Sequence, residues 1–260
     1  NNYVNVDWLS TSPGRKLNNP LAYLLTTIFL LGWINPQTKE IGFDYLRTLI
    51  TKTPHIYFFF GLLILAQIFL EWMYLTSPSD SYWNLDFEKG YGTYFSTIQL
   101  YILGLTVLVI ANKEKDVLNP IPRLYVWNLM AFLFMFLALD ECIGIHDNVR
   151  AQVKIASFIF QGEVVDSLPH WLWLFSPIIL VVLIFMIRFF FLVSKNNLKV
   201  RLVFLAGLLS WCMVLVFEKL GQSLNLPLPS YLLIVMEEGA EMLGATLFLM
   251  GFSLYLKRLL

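Results

Sequence analysis

Seven stretches of this chain read as membrane spans, and that leaves few choices of fold. They cover residues 21–35, 55–75, 94–111, 124–142, 169–193, 202–220 and 231–256. Inside hydrocarbon no water satisfies backbone N–H and C=O groups, so a spanning segment either closes its own hydrogen bonds as a helix or pairs within a closed barrel. Barrel strands need only about 9–11 residues, whereas a spanning helix needs about 20. The run lengths therefore select helices. Composition agrees: 14% of the residues are charged, against about 25% in a soluble domain. The expectation is an all-α, polytopic membrane bundle of seven transmembrane helices. No internal repeat or low-complexity tract divides it, so residues 1–260 read as one integral membrane domain.

Charge sets the direction. Lys and Arg collect on cytoplasmic loops. The loops after the first, third and fifth spans, with the C-terminus, hold 12 of the 18 basic residues and four acids. The other side keeps six basic residues and 14 acids. This predicts an N-terminus outside and a C-terminus in the cytoplasm, in a multi-pass protein of a bacterial-type plasma or inner membrane. Net charge is +0, so nothing draws the chain to nucleic acid. Its expected surroundings are the lipid bilayer and, in one reading, other membrane subunits.

With that topology, the carboxylates inside the apolar runs all fall toward the outer leaflet. They are Glu71, Asp140, Glu141, Glu218, Glu237, Glu238 and Glu241. Gln67, Ser96 and Gln99 join them at the same depth, while the inner halves of the spans are almost free of acids. A charge at the bilayer centre costs about 2.5–3.5 kcal/mol on insertion scales, and such residues are functional by default.

Two constellations carry the chemistry. Glu237, Glu238 and Glu241 share one face of a helix, and Gly244 and Gly251 extend that face at spacings of seven. Small residues there predict close approach of a neighbouring helix. The second is the run from Asp140 to Asn148, in which Asp140, Gly144 and Asp147 share a face with Glu141 beside it. His146 points away from Asp140 on a regular helix and joins the carboxylates only if the helix breaks near Gly144. Clustered carboxylates in a low dielectric need a shared proton or a cation. The candidate metal ligands are thus Asp140, Glu141, His146, Asp147, Glu218, Glu237, Glu238 and Glu241. Oxygen donors suit Ca or Mn, and an added imidazole suits Zn or Fe; the pattern does not choose among these divalent ions. His170, beside Trp171 and Trp173, and Glu71, beside Trp72, read as interfacial residues, and His55 starts its span on the inner side. Residues 146–168 mix apolar and charged positions and predict an amphipathic helix on the outer surface. Cys142 and Cys212 form no disulfide framework and read as small core residues.

Glu237-Glu238 resembles the double-glutamate helix of intramembrane glutamate proteases, and seven spans with an outward N-terminus resemble ceramidase-like membrane hydrolases. The histidines on which both families depend have no counterpart here, so neither activity is carried over. Three functions follow from the acids: a metal-dependent membrane hydrolase acting on a lipid-like substrate, a non-catalytic subunit of a larger membrane complex with a structural cation, or a proton or cation carrier. No catalytic residue is assigned.

Overall fold

The computed structural model describes residues 56–77, 82–85, 90–115, 122–145, 171–221 and 229–259. Within these the protein is all-α, with six helices: α1 (Ile56–Thr76), α2 (Tyr91–Glu114), α3 (Leu124–Ile143), α4 (Trp171–Val193), α5 (Leu198–Gly221) and α6 (Ser230–Leu259). The first five are long and apolar enough to cross a membrane. The sixth is the longest at 30 residues and carries the three glutamates in its first half. The chain is a multi-pass integral membrane protein. The span at 21–35, the amphipathic segment at 146–168, His55, His146, Asp147 and His170 lie outside the described residues.

Local sequence explains where the helices stop. Asn197 sits before α5, and its side-chain oxygen accepts from the Val200 N–H at 3.3 Å, an ordinary N-cap. The α3 helix ends at Gly144, whose φ of 58° and ψ of 53° are left-handed, with its N–H donating to the Asp140 carbonyl. Glycine takes that conformation without the Cβ clash another residue meets. Helix α3 thus ends at Gly144, where the sequence reading makes a break the condition for His146 to join the carboxylates. One expectation needs correction: Lys113 and Glu114 fall in the last turn of α2, not in a loop.

The bundle is organised on α6. It packs most extensively on α5, then on α2 and α1; α2 also packs along α3. Lipid tails are as apolar as Leu, so helices associate here through tight contact rather than escape from water. That contact is largely aromatic. Phe190 stacks on Phe204 with ring centres 4.4 Å apart and on Phe248 at 5.0 Å. Trp127, Phe134 and Phe252 complete the buried centre. The outer surface of α1, including Phe58, Leu65 and Trp72, is exposed, as a lipid-facing side should be. Helix α4 reaches the core mainly through Met186, Phe189, Phe190 and Val193 near its end.

Candidate functional site at the acidic end of the bundle

Cross-helix contacts fix the relative directions. Glycines let α5 and α6 touch: a Cβ on Gly244 would lie 2.2 Å from the Trp211 ring, one on Gly251 2.5 Å from Phe204, and one on Gly207 2.7 Å from Phe248. Residue numbers rise on one helix as they fall on the other, so the pair is antiparallel. The close approach predicted for the Gly244 and Gly251 face is made by α5. Continuing its spacing of seven by one step sets Glu218 level with Glu237.

The same reasoning orients the rest. Ser96 meets Glu141 and Gly104 lies against Ala131 and Met135, so α2 and α3 are antiparallel. Gln99 meets Thr246 and Tyr255 meets Glu114, so α2 and α6 run the same way. Glu71 on α1 lies against Gly239. The consequence is a polarised bundle. Glu71, Asp140, Glu141, Glu218, Glu237, Glu238 and Glu241 gather at one end. Lys113, Lys115, Arg123, Lys195, Lys199, Arg201, Lys257 and Arg258 gather at the other.

At the acidic end, Asp140, Glu141, Glu218, Glu237, Glu238 and Glu241 are all partly buried. Groups on neighbouring helices hold the Glu141 carboxylate and the α6 backbone beside the other acids. The Ser96 hydroxyl donates to Glu141 Oε1 at 2.7 Å. The Trp211 indole donates to the Glu241 main-chain carbonyl at 3.2 Å. The Ser210 hydroxyl donates to the Ala240 carbonyl at 2.7 Å. These bonds lock α5 and α3 to the segment of α6 and the start of α2 that frame the acids. Among the described residues no group of three or more His, Cys, Asp or Glu side chains is placed to hold one metal ion.

Sequence reasoning placed Gln67 and Gln99 at the depth of the acids without assigning them partners, and the structure supplies the contacts. Gln67 Nε2 donates to Glu71 Oε1 and to the Gly239 carbonyl, each at 2.8 Å. Gln99 Nε2 donates to Thr246 Oγ1 at 2.7 Å. Among the described residues Gln67 Oε1, Gln99 Oε1, Thr97 Oγ1 and the Tyr101 hydroxyl are buried without a hydrogen-bond partner. A second feature was missed at the opposite end. Glu114 is buried and accepts from the Tyr255 hydroxyl at 2.6 Å. The α2–α6 seam thus carries a polar contact toward each end, Gln99 with Thr246 and Glu114 with Tyr255, and Thr106 of α2 and Ser253 of α6 are buried as well. Serine, threonine and glutamine scattered through apolar runs barely disturb hydropathy, so only packing exposes their alignment. Neither Cys142 nor Cys212 is joined in a disulfide among the described residues.

Residues 56–256 match the family described as Domain of unknown function (DUF8692). The match spans most of the chain, which belongs to that family. No curated protein matches it, and no solved structure does.

Proposed function

We propose that the acidic end of the bundle is the working end of a divalent-metal-dependent membrane enzyme, lying in the outer leaflet and acting on a lipid-like substrate. One observation carries this reading: partly buried carboxylates from α3, α5 and α6 collect at a single end of the bundle. Carboxylates gathered at one end of an apolar bundle repel one another, and a cation or retained protons would relieve that repulsion. Glu237, Glu241, Asp140 and Glu141 are the first candidates as ligands, with Glu218 and Glu238 flanking them. Since no three of the described acids are placed for one ion, the reading requires donors from the stretch after Gly144, where His146 and Asp147 stand. A cation held there would polarise an ester carbonyl or lower the pKa of a bound water. The reading also takes the span at 21–35 as a true seventh helix, with the N-terminus outside.

Elemental analysis of the purified protein tests it. The expected result is one divalent ion per chain, reduced in both Glu241→Gln and His146→Ala, with loss of hydrolysis of a short-chain phospholipid. Stoichiometric metal without hydrolysis of any lipid ester would move the protein to the class of complex subunits with a structural cation. Absence of metal would remove the enzyme reading.

A carrier is the second reading, and the buried polar residues along α2 and α6 favour it. Proteoliposomes loaded with a pH-sensitive dye would then acidify under a proton gradient, and Glu114→Gln would slow them. Equal dye responses in empty and protein-loaded vesicles would end that reading.

A further inference from the structure

We propose that the hairpin joining α4 and α5 binds the headgroup of an anionic phospholipid through Arg188, Lys195, Lys199 and Arg201. The two helices are linked by residues 194–197 at the basic end of the bundle, so the hairpin meets the headgroup layer. Lipid-facing side chains lead up to it. Val181, Ile184, Arg188 and Leu192 recur at spacings of three and four along α4, and all four are exposed. On α5, Leu198, Leu202, Leu205 and Leu209 form a second exposed stripe. Arg188 interrupts the first. It lies five residues before the end of α4 at Val193, about 7.5 Å along the axis. Arginines so near a helix end extend along apolar surface and present their charge at the interface.

Arg201 supplies an oriented charge beside it. Its Nη2 donates to the Ser194 carbonyl at 3.4 Å and to the Lys195 carbonyl at 2.8 Å. Its guanidinium carbon lies 5.8 Å from the centre of the Phe191 ring. Phe191 stands one turn from Arg188 on the same side of α4, a spacing that sets Cβ atoms about 5–6 Å apart. The two arginines therefore flank one exposed ring. Swinging out into water would cost Arg201 these contacts, so its counter-charge has to come to it.

The charges choose the partner. No Asp or Glu occurs from residue 167 to residue 217, the stretch that holds all four cations. Glu218 and Lys219 stand at the other end of α5. Among the described residues at the basic end the one acid is Glu114, buried and bonded to Tyr255; the other charges there, on α2, α3 and α6, are Lys and Arg. The hairpin is thus a surplus of positive charge set on an apolar, lipid-facing base. A zwitterionic headgroup brings its own cation and relieves none of it, whereas a net-anionic one does. A phosphodiester accepts paired bonds from a guanidinium, and basic pockets beside transmembrane helices take anionic headgroups. A headgroup spans several side chains, so the four charges need not converge on one point. Free phosphate would match the charges but leave the apolar stripes unused. The site is independent of the function proposed for the acidic end, across the membrane.

Native mass spectrometry of the full chain, released from detergent with added lipid, counts bound phosphatidylglycerol and phosphatidylcholine of matched chain length. The proposal expects saturable phosphatidylglycerol binding at least tenfold tighter than that of phosphatidylcholine. It expects at least a fivefold loss in Arg188→Gln/Lys199→Gln and none in Lys257→Gln/Arg258→Gln, which removes the same charge from the end of α6. Equal affinity for the two lipids would overturn it. So would equal losses in the two double variants, which would mean diffuse attraction to the whole basic end. Displacement of the lipid by millimolar inorganic phosphate would overturn it in favour of a free-phosphate site. Should the first variant fail to fold, Lys195→Gln/Lys199→Gln, at two exposed positions, takes its place, with the same loss expected and unchanged affinity decisive against.

Discussion

The substitution Gly244→Ala tests the packing of α5 on α6, on which the geometry of the acidic end depends. Its new Cβ would sit 2.2 Å from Trp211 Cδ1 and 2.6 Å from Nε1. No real methyl tolerates that distance, so the indole or a helix must move. The indole is not free to do so. It donates to the Glu241 carbonyl, packs edge-on against Phe248 with ring centres 4.9 Å apart, and touches Phe134. Overpacking of this kind costs about 1–3 kcal/mol, and losing an interhelical hydrogen bond in a membrane protein adds about 0.6 kcal/mol. Alanine returns roughly 0.5–1 kcal/mol through its better helix propensity. The net expectation is a destabilisation of roughly 1–3 kcal/mol, dominated by the clash. Reversible unfolding in mixed micelles, followed by far-ultraviolet circular dichroism, measures it. Gly61→Ala is the control, since nothing lies within 4 Å of its added Cβ; it should be neutral or stabilise by up to ~1 kcal/mol. Gly244→Ala with Trp211→Phe should be less damaging than the two changes added together, because the smaller ring yields the space. If Gly244→Ala unfolds within about 0.5 kcal/mol of Gly61→Ala, less than the 1–3 kcal/mol typical of overpacking, the close α5–α6 contact does not exist as described.

Three other outcomes are expected. Tyr255→Phe should leave Glu114 buried without its hydroxyl donor and destabilise by about 1–3 kcal/mol, while Glu114→Gln in the Tyr255→Phe background should recover part of that loss; equal stability of Tyr255→Phe and wild type in the same unfolding assay would deny the pair. Ser96→Ala should cost roughly 1–2 kcal/mol by removing the donor to Glu141, and a double cycle with Glu141→Gln should show coupling between α2 and α3; strictly additive effects would argue against the contact. In a Cys142→Ala/Cys212→Ala background, a cysteine at Lys115 should resist, and one at Glu88 accept, an impermeant thiol reagent applied to intact cells; the reverse pattern would invert the proposed topology.

How far the sequence carried the fold depends on what each signal encodes. The span at 124–142 became Leu124–Ile143 and the one at 202–220 became Leu198–Gly221, because a continuous apolar run records helix and membrane depth together. The end at Gly144 was legible for a similar reason: glycine after an apolar run is a strong local stop. Glu114 was misplaced because Lys113, Glu114, Lys115 and Asp116 form a charged run that reads as loop, and only the distant Tyr255 gives the Glu114 side chain a reason to stay in the last turn of a helix. Neighbours were less legible. The glycine face of α6 announced that some helix approaches it, but nothing in the residues named α5, whose Trp211 and Phe204 are the partners. Gln67 showed its depth but not that its amide would bridge to Gly239, a residue 172 positions away. Depth follows from one helix alone; partnership follows from two.

The faces of α6 explain why the acids and the glycines occupy one helix. Gly244 and Gly251 lie seven residues apart and accept the aromatic rings of α5, so they fix the rotation of α6 about its own axis. Glu237 lies another seven residues before Gly244 and inherits that rotation, which carries it to the α5 side level with Glu218. Gly239 and Thr246 are also seven apart and occupy a different face, which receives Gln67 from α1 and Gln99 from α2. Each face therefore couples a tight contact or hydrogen bond in the apolar region to a polar group nearer the acidic end. A side chain that widens the α5 contact rotates the glutamates together with the helix. On this geometry the chemistry of the acidic end is set by steric fit about two to four turns away, and a change at Gly251 should alter any ion binding there without touching an ion ligand.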